Sequence, residues 1–207
     1  MLIKTLPLGM LETNCYIVTD EQTLQCAVID PAADSTILLD YLEDNHLKCV
    51  MALLTHAHFD HVGAVEALLE ETGATLYMHP ADNGTPIGFD RHVFAAPEGT
   101  RFLSDGDTLR LGAIEFTVLE TPGHTPGGLT FLCREGDDQV LFTGDTLFRD
   151  SCGRTDFTLS STDDILRSLK RLAELPGDYE VYPGHGFSST MSRERAVNYF
   201  VRAALRQ

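Results

Sequence analysis

The stretch Thr55–Ala64 reads "THAHFDHVGA" and follows the apolar run Cys49–Leu54, "CVMALL". It sets His56, His58, Asp60 and His61 within six positions. Surface loops rarely need three imidazoles, and cores rarely tolerate them. The spacing carries geometry. On a helix, positions i and i+2 point roughly opposite ways, so His56 and His58 could not share a ligand there. In an extended segment they face the same side. An apolar strand before the stretch and a helical pattern after it put these residues on a strand-to-helix turn. Four donors on one turn point to a metal site.

A catalytic site needs an open coordination position, so further donors are expected elsewhere. Three other segments share one form: an apolar strand, a glycine-bearing turn and a single donor. "FTVLETPGHTPGG" offers His124, "QVLFTGDTLF" offers Asp145, and "YEVYPGHGFSS" offers His185. Glycine lets the backbone turn tightly beside an ion. The sum is five imidazoles and two carboxylates, a set for two divalent metals. One ion would take His56, His58 and His124. The other would take Asp60, His61 and His185, with anionic Asp145 as the bridge. A nitrogen-rich shell without cysteine suits zinc first, with iron or manganese as the other fits, and disfavours calcium and magnesium.

The surrounding pattern is α/β. Strand-like runs at Met1–Leu8, Asn14–Asp20 and Leu24–Asp30 precede a helix over Asp34–His46, capped by Asp34 or Ser35. After the histidine turn the spacing predicts one helix over Val62–Gly73 and a strand at Thr75–His79. Residues 81–100 have no clear period and read as a long loop with one short helix at most, a candidate lid. Strands resume at Thr108–Gly112, Ile114–Glu120, Gly128–Cys133 and Gln139–Asp145. A helix over Ser161–Leu175 opens on the capping pattern of Ser161 with Asp164. A strand at Tyr179–Gly184 and a single amphipathic helix over Ser192–Gln207 finish the chain. Without repeat or linker, residues 1–207 read as one domain of two sheets packed face to face, with helices outside.

Net charge is −16, from 31 acidic and 15 basic residues. Such a surface repels nucleic acid and anionic lipid. No apolar run reaches the roughly 18 residues of a membrane span, and the N-terminus lacks a signal-peptide pattern. The five cysteines are odd in number and form no CxxC, which fits a reducing, cytoplasmic setting.

The motifs "THAHFDHVGA", "TPGHTPGG", "LFTGDTLF" and "YPGHG", in this order, resemble the metallo-β-lactamase superfamily across nearly the whole chain. The resemblance implies an αββα sandwich with metals at one edge. Within it, "NCYIV", "GDTLFRDSCGR" and "PGHG" followed by an Arg- and Asn-bearing helix are most similar to glyoxalase II-type thioester hydrolases, especially the short bacterial forms. Two features depart from that pattern. The family's "DPG" turn is "DPAA" here, Asp30–Ala33. The chain ends at Gln207, without the C-terminal helical domain that holds glutathione in the longer enzymes.

The implied activity is hydrolysis of S-lactoylglutathione or a related small thioester. Two ions would polarise the carbonyl and supply hydroxide at neutral pH. Asp145 would hold both, and Asp60 would be ligand and proton acceptor. A thiolate leaves readily, so no strong general acid is required. There is no G-x-S-x-G, P-loop or G-x-G-x-x-G. Around the ligands, Asp30 either receives the second N–H of a metal-bound histidine or simply opens the turn before Pro31. Arg154 and Asp156 are expected to pair and hold the loop after Asp145, and Thr55 and Thr125 to orient ligand loops. Cys152 is a substrate contact or a packed thiol. Arg91, Phe94 and Arg149 are further substrate candidates, whereas His46, His79 and His92 have no partners in any motif.

Three rivals stand beside this reading. "SCGRTDF" also resembles persulfide dioxygenases, where His56, His124 and Asp145 would hold a single iron. A lactonase or β-lactamase is the second, though β-lactamases of this superfamily usually lack the bridging aspartate. A non-catalytic metal-binding module is the third, and a full set of seven donors counts against it. The sequence leaves the oligomeric state open.

Overall fold

The central strands form because their residues have an apolar layer to face on either side. The structure, a computed structural model, describes residues 1–88 and 93–207. Arg91 and His92 lie outside the described residues. In chain order the elements are β1 (Leu2–Leu8), β2 (Thr13–Asp20), β3 (Gln25–Ile29), α1 (Ser35–Asp44), β4 (Lys48–Leu53), α2 (Phe59–Val62), α3 (Val65–Thr72) and β5 (Thr75–Met78). A 3-10 helix (Pro80–Asp82), β6 (Arg101–Phe102), β7 (Thr108–Leu111), β8 (Ile114–Glu120), β9 (Leu129–Glu135) and β10 (Asp138–Gly144) follow. The rest is β11 (Leu147–Phe148), β12 (Ser151–Cys152), α4 (Thr162–Ala173), β13 (Glu180–Pro183), β14 (Ser189–Thr190), α5 (Met191–Val197) and α6 (Tyr199–Ala204).

The sheets run in the orders β1-β2-β3-β4-β5-β6 and β14-β13-β10-β9-β8-β7. Side chains alternate between layers with the period of two that strands impose. In β2, Cys15 and Ile17 face a layer shared with Leu38, Leu42 and Leu68 of α1 and α3. Tyr16 and Val18 face the opposite way, into the space between the sheets, where Phe116, Phe131 and Phe142 meet them. In β9 and β10, Leu132 and Leu141 turn outward to Leu169 and Leu172 of α4 and Val201 of α6. Three apolar layers between four structural layers make the expected αββα sandwich. None of the described helices is long and apolar enough to cross a membrane.

Several local expectations need correction. The helix expected over Val62–Gly73 is two, α2 and α3, broken at Gly63 and Ala64. The chain is pressed here against the turn after β3. A Cβ on Gly63 would lie 2.4 Å from the Ala32 carbonyl oxygen, and Ala64 N donates to Pro31 O at 2.9 Å. The C-terminal helix is also two. Asn198 takes an extended backbone, φ −67° and ψ 120°, and its Oδ1 accepts from Phe200 N and Val201 N. Asn198 thus stops α5 and starts α6. Asp34 occupies the N-cap position of α1, as expected, but in a left-handed conformation and without a side-chain capping bond; its Oδ2 accepts from Gly9 N at 2.9 Å instead. Ser161 caps α4 as its pattern predicts, accepting from Asp164 N at 3.2 Å.

Candidate metal centre

The chain's donors gather because the strands that carry them end at one edge. β3 and β4 are parallel, as are β10 and β13, and β8 runs with β10 across the antiparallel β9. The turns after β4, β8, β10 and β13 therefore open on the same side. Backbone bonds close that edge across the sandwich. Asn14 N donates to Gly184 O at 2.8 Å, and Leu129 N donates to Thr55 O at 2.7 Å.

On this edge His56, His58 and His124 bring one nitrogen each within 4.8 Å of one another. Asp60, His61 and His185 form a second such group, and His56, His61 and Asp145 a third that lies across both. Individual separations are 3.0 Å for His58 Nδ1 to His124 Nε2 and 3.2 Å for His185 Nε2 to Asp60 Oδ2. Asp145 reaches both groups: Oδ2 is 3.4 Å from His124 Nε2, and Oδ1 is 3.5 Å from His61 Nε2. Ligand atoms about 2.0–2.1 Å from a tetrahedral zinc lie about 3.3 Å apart, so these distances match edges of coordination shells. Among the described residues, the buried side-chain atoms without a hydrogen-bond partner are His56 Nε2, His58 Nε2, His61 Nε2 and Asp145 Oδ1 at the donors and Thr125 Oγ1 beside His124. Unpaired buried acceptors are costly unless a cation takes them. The residues present therefore fit a divalent metal.

The far side of each ring sets which nitrogen is free. Asp30, 1% exposed, follows β3 and carries three bonds: from Thr55 N and Thr55 Oγ1, each at 2.7 Å, and from His61 Nδ1 at 2.9 Å. A carboxylate only accepts, so His61 bears its proton on Nδ1 and turns Nε2 to the site. Because Thr55 Oγ1 donates to Asp30, it accepts from His56 Nδ1 at 3.1 Å. One carboxylate thus orients a histidine in each group. His124 Nδ1 donates to Arg154 O at 2.9 Å, and His185 Nδ1 donates to Leu11 O at 3.2 Å. Thr13 Oγ1 donates to Asp60 Oδ2 at 2.9 Å.

Electrostatics divide the two groups. Burial, then neighbouring imidazoles, push the His56 pKa well down and lower His58 to about 4. Burial opposes protonation of His61 too, but Asp30, Asp145 and Asp60 outweigh it and hold its pKa up at about 9. Burial likewise works against His185, and its bond to Asp60 together with Asp145 raises it. Asp60 stays well below the usual carboxylate range: burial opposes this, and His185, His61 and Thr13 prevail. His56 and His58 are thus held neutral, whereas the carboxylates around His61 and His185 favour positive charge there, which a metal ion can supply in place of protons.

A cavity of about 250 Å³ lies above the donors, lined by His58, Asp60, His124, Asp145 and His185 and by Leu11, Phe59, Gly88, Arg154 and Phe157. Phe157 stands edge-on to His58 and His124, with the Arg154 guanidinium 4.6 Å above its ring. Arg154 donates to both oxygens of Asp156, at 2.6 and 2.8 Å. Arg149 and Cys152 are not among the described residues lining the cavity. Cys152 packs beside the outer layer under α4 and α6, where burial pushes its thiol up to about 11. Phe94 packs against the layer under α1 and α3. His79 faces Glu120 at 3.2 Å, and His46 is exposed on a left-handed turn. Sequence reasoning missed Leu11, Phe59 and Phe157 as walls, Thr13 as a partner of Asp60, and Asp82, which holds two ligand loops. The exposed apolar Phe59 inside the histidine turn was the one available signal.

The family model of the metallo-β-lactamase superfamily matches residues 8–185. An uncharacterised protein of Aquifex aeolicus is 40% identical over 97% of each chain. The hydroxyacylglutathione hydrolase GloC of Haemophilus influenzae is 32% identical over 98% of this chain and 99% of its own. Among solved structures, BLEG-1 B3 metallo-β-lactamase superposes with a TM-score of 0.86, at 31% identity over 97% of this chain and 99% of that one. TTHA1623 in a di-iron-bound form gives 0.81, at 36% identity over 95% and 99%. ETHE1 from Myxococcus xanthus gives 0.82, at 30% identity over 99% and 90%. By sequence and fold alike, the chain belongs to the metallo-β-lactamase superfamily of metal-dependent hydrolases.

Proposed function

We propose that the protein hydrolyses small acyl thioesters, with S-lactoylglutathione representing the class, and that it works with two divalent ions. The observation that carries this is Asp145, one carboxylate that reaches both donor groups: Oδ2 lies 3.4 Å from His124 Nε2 and 3.6 Å from His185 Nε2, and Oδ1 lies 3.5 Å from His61 Nε2. The name of the Haemophilus relative, a hydroxyacylglutathione hydrolase, supports the thioester class.

His56, His58 and His124 would hold one ion, Asp60, His61 and His185 the other, and Asp145 both. When bound, the metal pair supplies Lewis acidity toward a carbonyl and lowers the pKa of water toward about 7. The chain's own residues do the rest. Asp30, Thr55, Leu11 O and Arg154 O fix the rings so that no reorientation is needed on binding. Thr13 and His185 hold Asp60 in its anionic form, which suits it to a cation and makes it a weak base. Leu11, Phe59 and Phe157 narrow the cavity and exclude water around the acyl group.

The test is hydrolysis of S-lactoylglutathione by protein loaded separately with zinc, iron or manganese, with Asp145→Ala as the control. Turnover should require metal. The variant should lose about a thousandfold in rate, equivalent to about 4 kcal/mol, together with metal. A fully active, metal-free variant would sink the proposal. One other reading has support: "SCGRTDF", Ser151–Phe157, resembles persulfide dioxygenases with a single iron. Such an enzyme would leave Asp60, His61 and His185 without an ion, although their nitrogen and oxygen atoms converge within 4.8 Å. Iron content with oxygen uptake on glutathione persulfide decides between the two.

A further inference from the structure

Asp82 ends the 3-10 helix at the start of the segment that the sequence reads as a loop. It is 1% exposed and belongs to neither donor group. Its two oxygens go to two different ligand turns. Oδ2 accepts from Ala57 N at 3.2 Å, and Ala57 lies between His56 and His58. Oδ1 accepts from Gly127 N at 2.7 Å, three residues beyond His124. The approach to Gly127 is so close that a Cβ there would lie 2.6 Å from Oδ1. Burial pushes the Asp82 pKa up, so the fold carries a cost in keeping an acid here.

That cost has a geometric return. The turns after β4 and β8 come from different sheets, yet His58 Nδ1 and His124 Nε2 must meet 3.0 Å apart. The bond from Leu129 N to Thr55 O ties the turns at their base. Asp82 ties them again beside the ligands themselves. The other donor group hangs from different supports: Asp30 on His61, Thr13 on Asp60 and Leu11 O on His185.

We propose that Asp82 is a positioning residue that sets the distance between the His56–His58 turn and the His124 turn, and with it the metal affinity of that group alone. This rests on the two-metal reading above. Asp82→Asn keeps size and shape, but its amide nitrogen cannot accept from a backbone N–H. Gly127→Ala presses on the same clamp from the other side, and serves if the first variant does not fold. Asp105→Asn, which removes the exposed partner of Arg171, is the control for a general loss of stability.

The measurement is zinc stoichiometry by native mass spectrometry, with dissociation constants from competition against a chromophoric chelator and visible spectra of the cobalt-substituted protein. Wild type should bind two ions. Asp82→Asn and Gly127→Ala should weaken one of them by roughly 10–100-fold, change the cobalt spectrum of that ion, and leave the other unmoved. Adding His185→Ala to Asp82→Asn identifies the site: the ion that remains must be the weakened one. Two unchanged ions, or two equally weakened, would overturn the proposal. A wild type that binds a single ion would instead overturn the two-metal reading, and Asp82 would then stand or fall on whether that ion weakens.

Discussion

The two halves of the chain deliver their donors in opposite ways. The first half places His56, His58, Asp60 and His61 on one strand-to-helix turn. The second offers His124, Asp145 and His185 from three separate strand ends. Support follows the same division. One buried acid, Asp30, orients His61 directly and His56 through Thr55. In the second half each donor has its own prop: Arg154 O for His124, Leu11 O for His185, and glycine backbone packed around Asp145. Concentrated support serves two of that turn's four donors, one in each group, from a single residue, so one loss should disturb both. Distributed support should fail one donor at a time.

The largest effect is therefore expected at Asp30. Asp30→Ala leaves Thr55 N–H, the Thr55 hydroxyl and His61 Nδ1–H without their acceptor, all buried. Each lost partner costs on the order of 1–3 kcal/mol, so the metal-free protein should lose about 3 kcal/mol or more in denaturant unfolding. Both ions should weaken, because His56 and His61 serve different groups. A loss confined to one ion would break the comparison, since it would mean that the Thr55 relay to His56 carries no weight.

Gly184→Ala probes the second half. A Cβ at this position would lie 2.2 Å from Asp145 Oδ1 and 2.9 Å from His61 Cε1. Gly184 does not need a left-handed backbone, so the fold should persist while the shared carboxylate is pushed aside. A displacement of about 1 Å at a reacting centre costs about a hundredfold, and kcat/KM on whichever thioester proves active should fall by that amount. His58 and His124 should keep their ion. Loss of both ions would show that Asp145, rather than the imidazole cluster, anchors the site.

The same division explains what could be read from the sequence. Four donors on one turn announce themselves, because spacing and residue type carry the geometry. His124, Asp145 and His185 are single loop residues, and only their common setting after glycine-bearing strand ends joins them to the cluster. The longer strands were legible because their alternation matches two apolar layers, whereas the two-residue strands β6, β11, β12 and β14 are too short to show any and were missed. Asp82 and Leu11 were not, because Asp82 binds backbone amides, with Gly127 its one mark on residue choice, and Leu11 acts through its carbonyl. The breaks at Gly63 and Asn198 were hidden for a related reason. The contacts that cause them, with Ala32 O and with the loop after Asp145, lie far away in the chain.

Asn198 gives the smallest expected effect and the sharpest check on distributed support. Its side chain, fully buried, caps α6 and donates to Ser151 O at 3.0 Å, Phe148 O at 3.4 Å and Glu194 Oε2 at 2.8 Å. It thereby ties the C-terminal helices to the loop between Asp145 and Arg154. Asn198→Ala removes the cap and these bonds, which should cost about 2 kcal/mol in unfolding of the metal-free protein. Glu194 keeps its bonds from Asp150 N, Ser189 Oγ and Arg193, so the loop stays attached. Metal stoichiometry and kcat should therefore hold while stability falls. If the ions leave as well, the loop after Asp145 depends on one residue as heavily as the histidine turn depends on Asp30, and the contrast between the halves disappears.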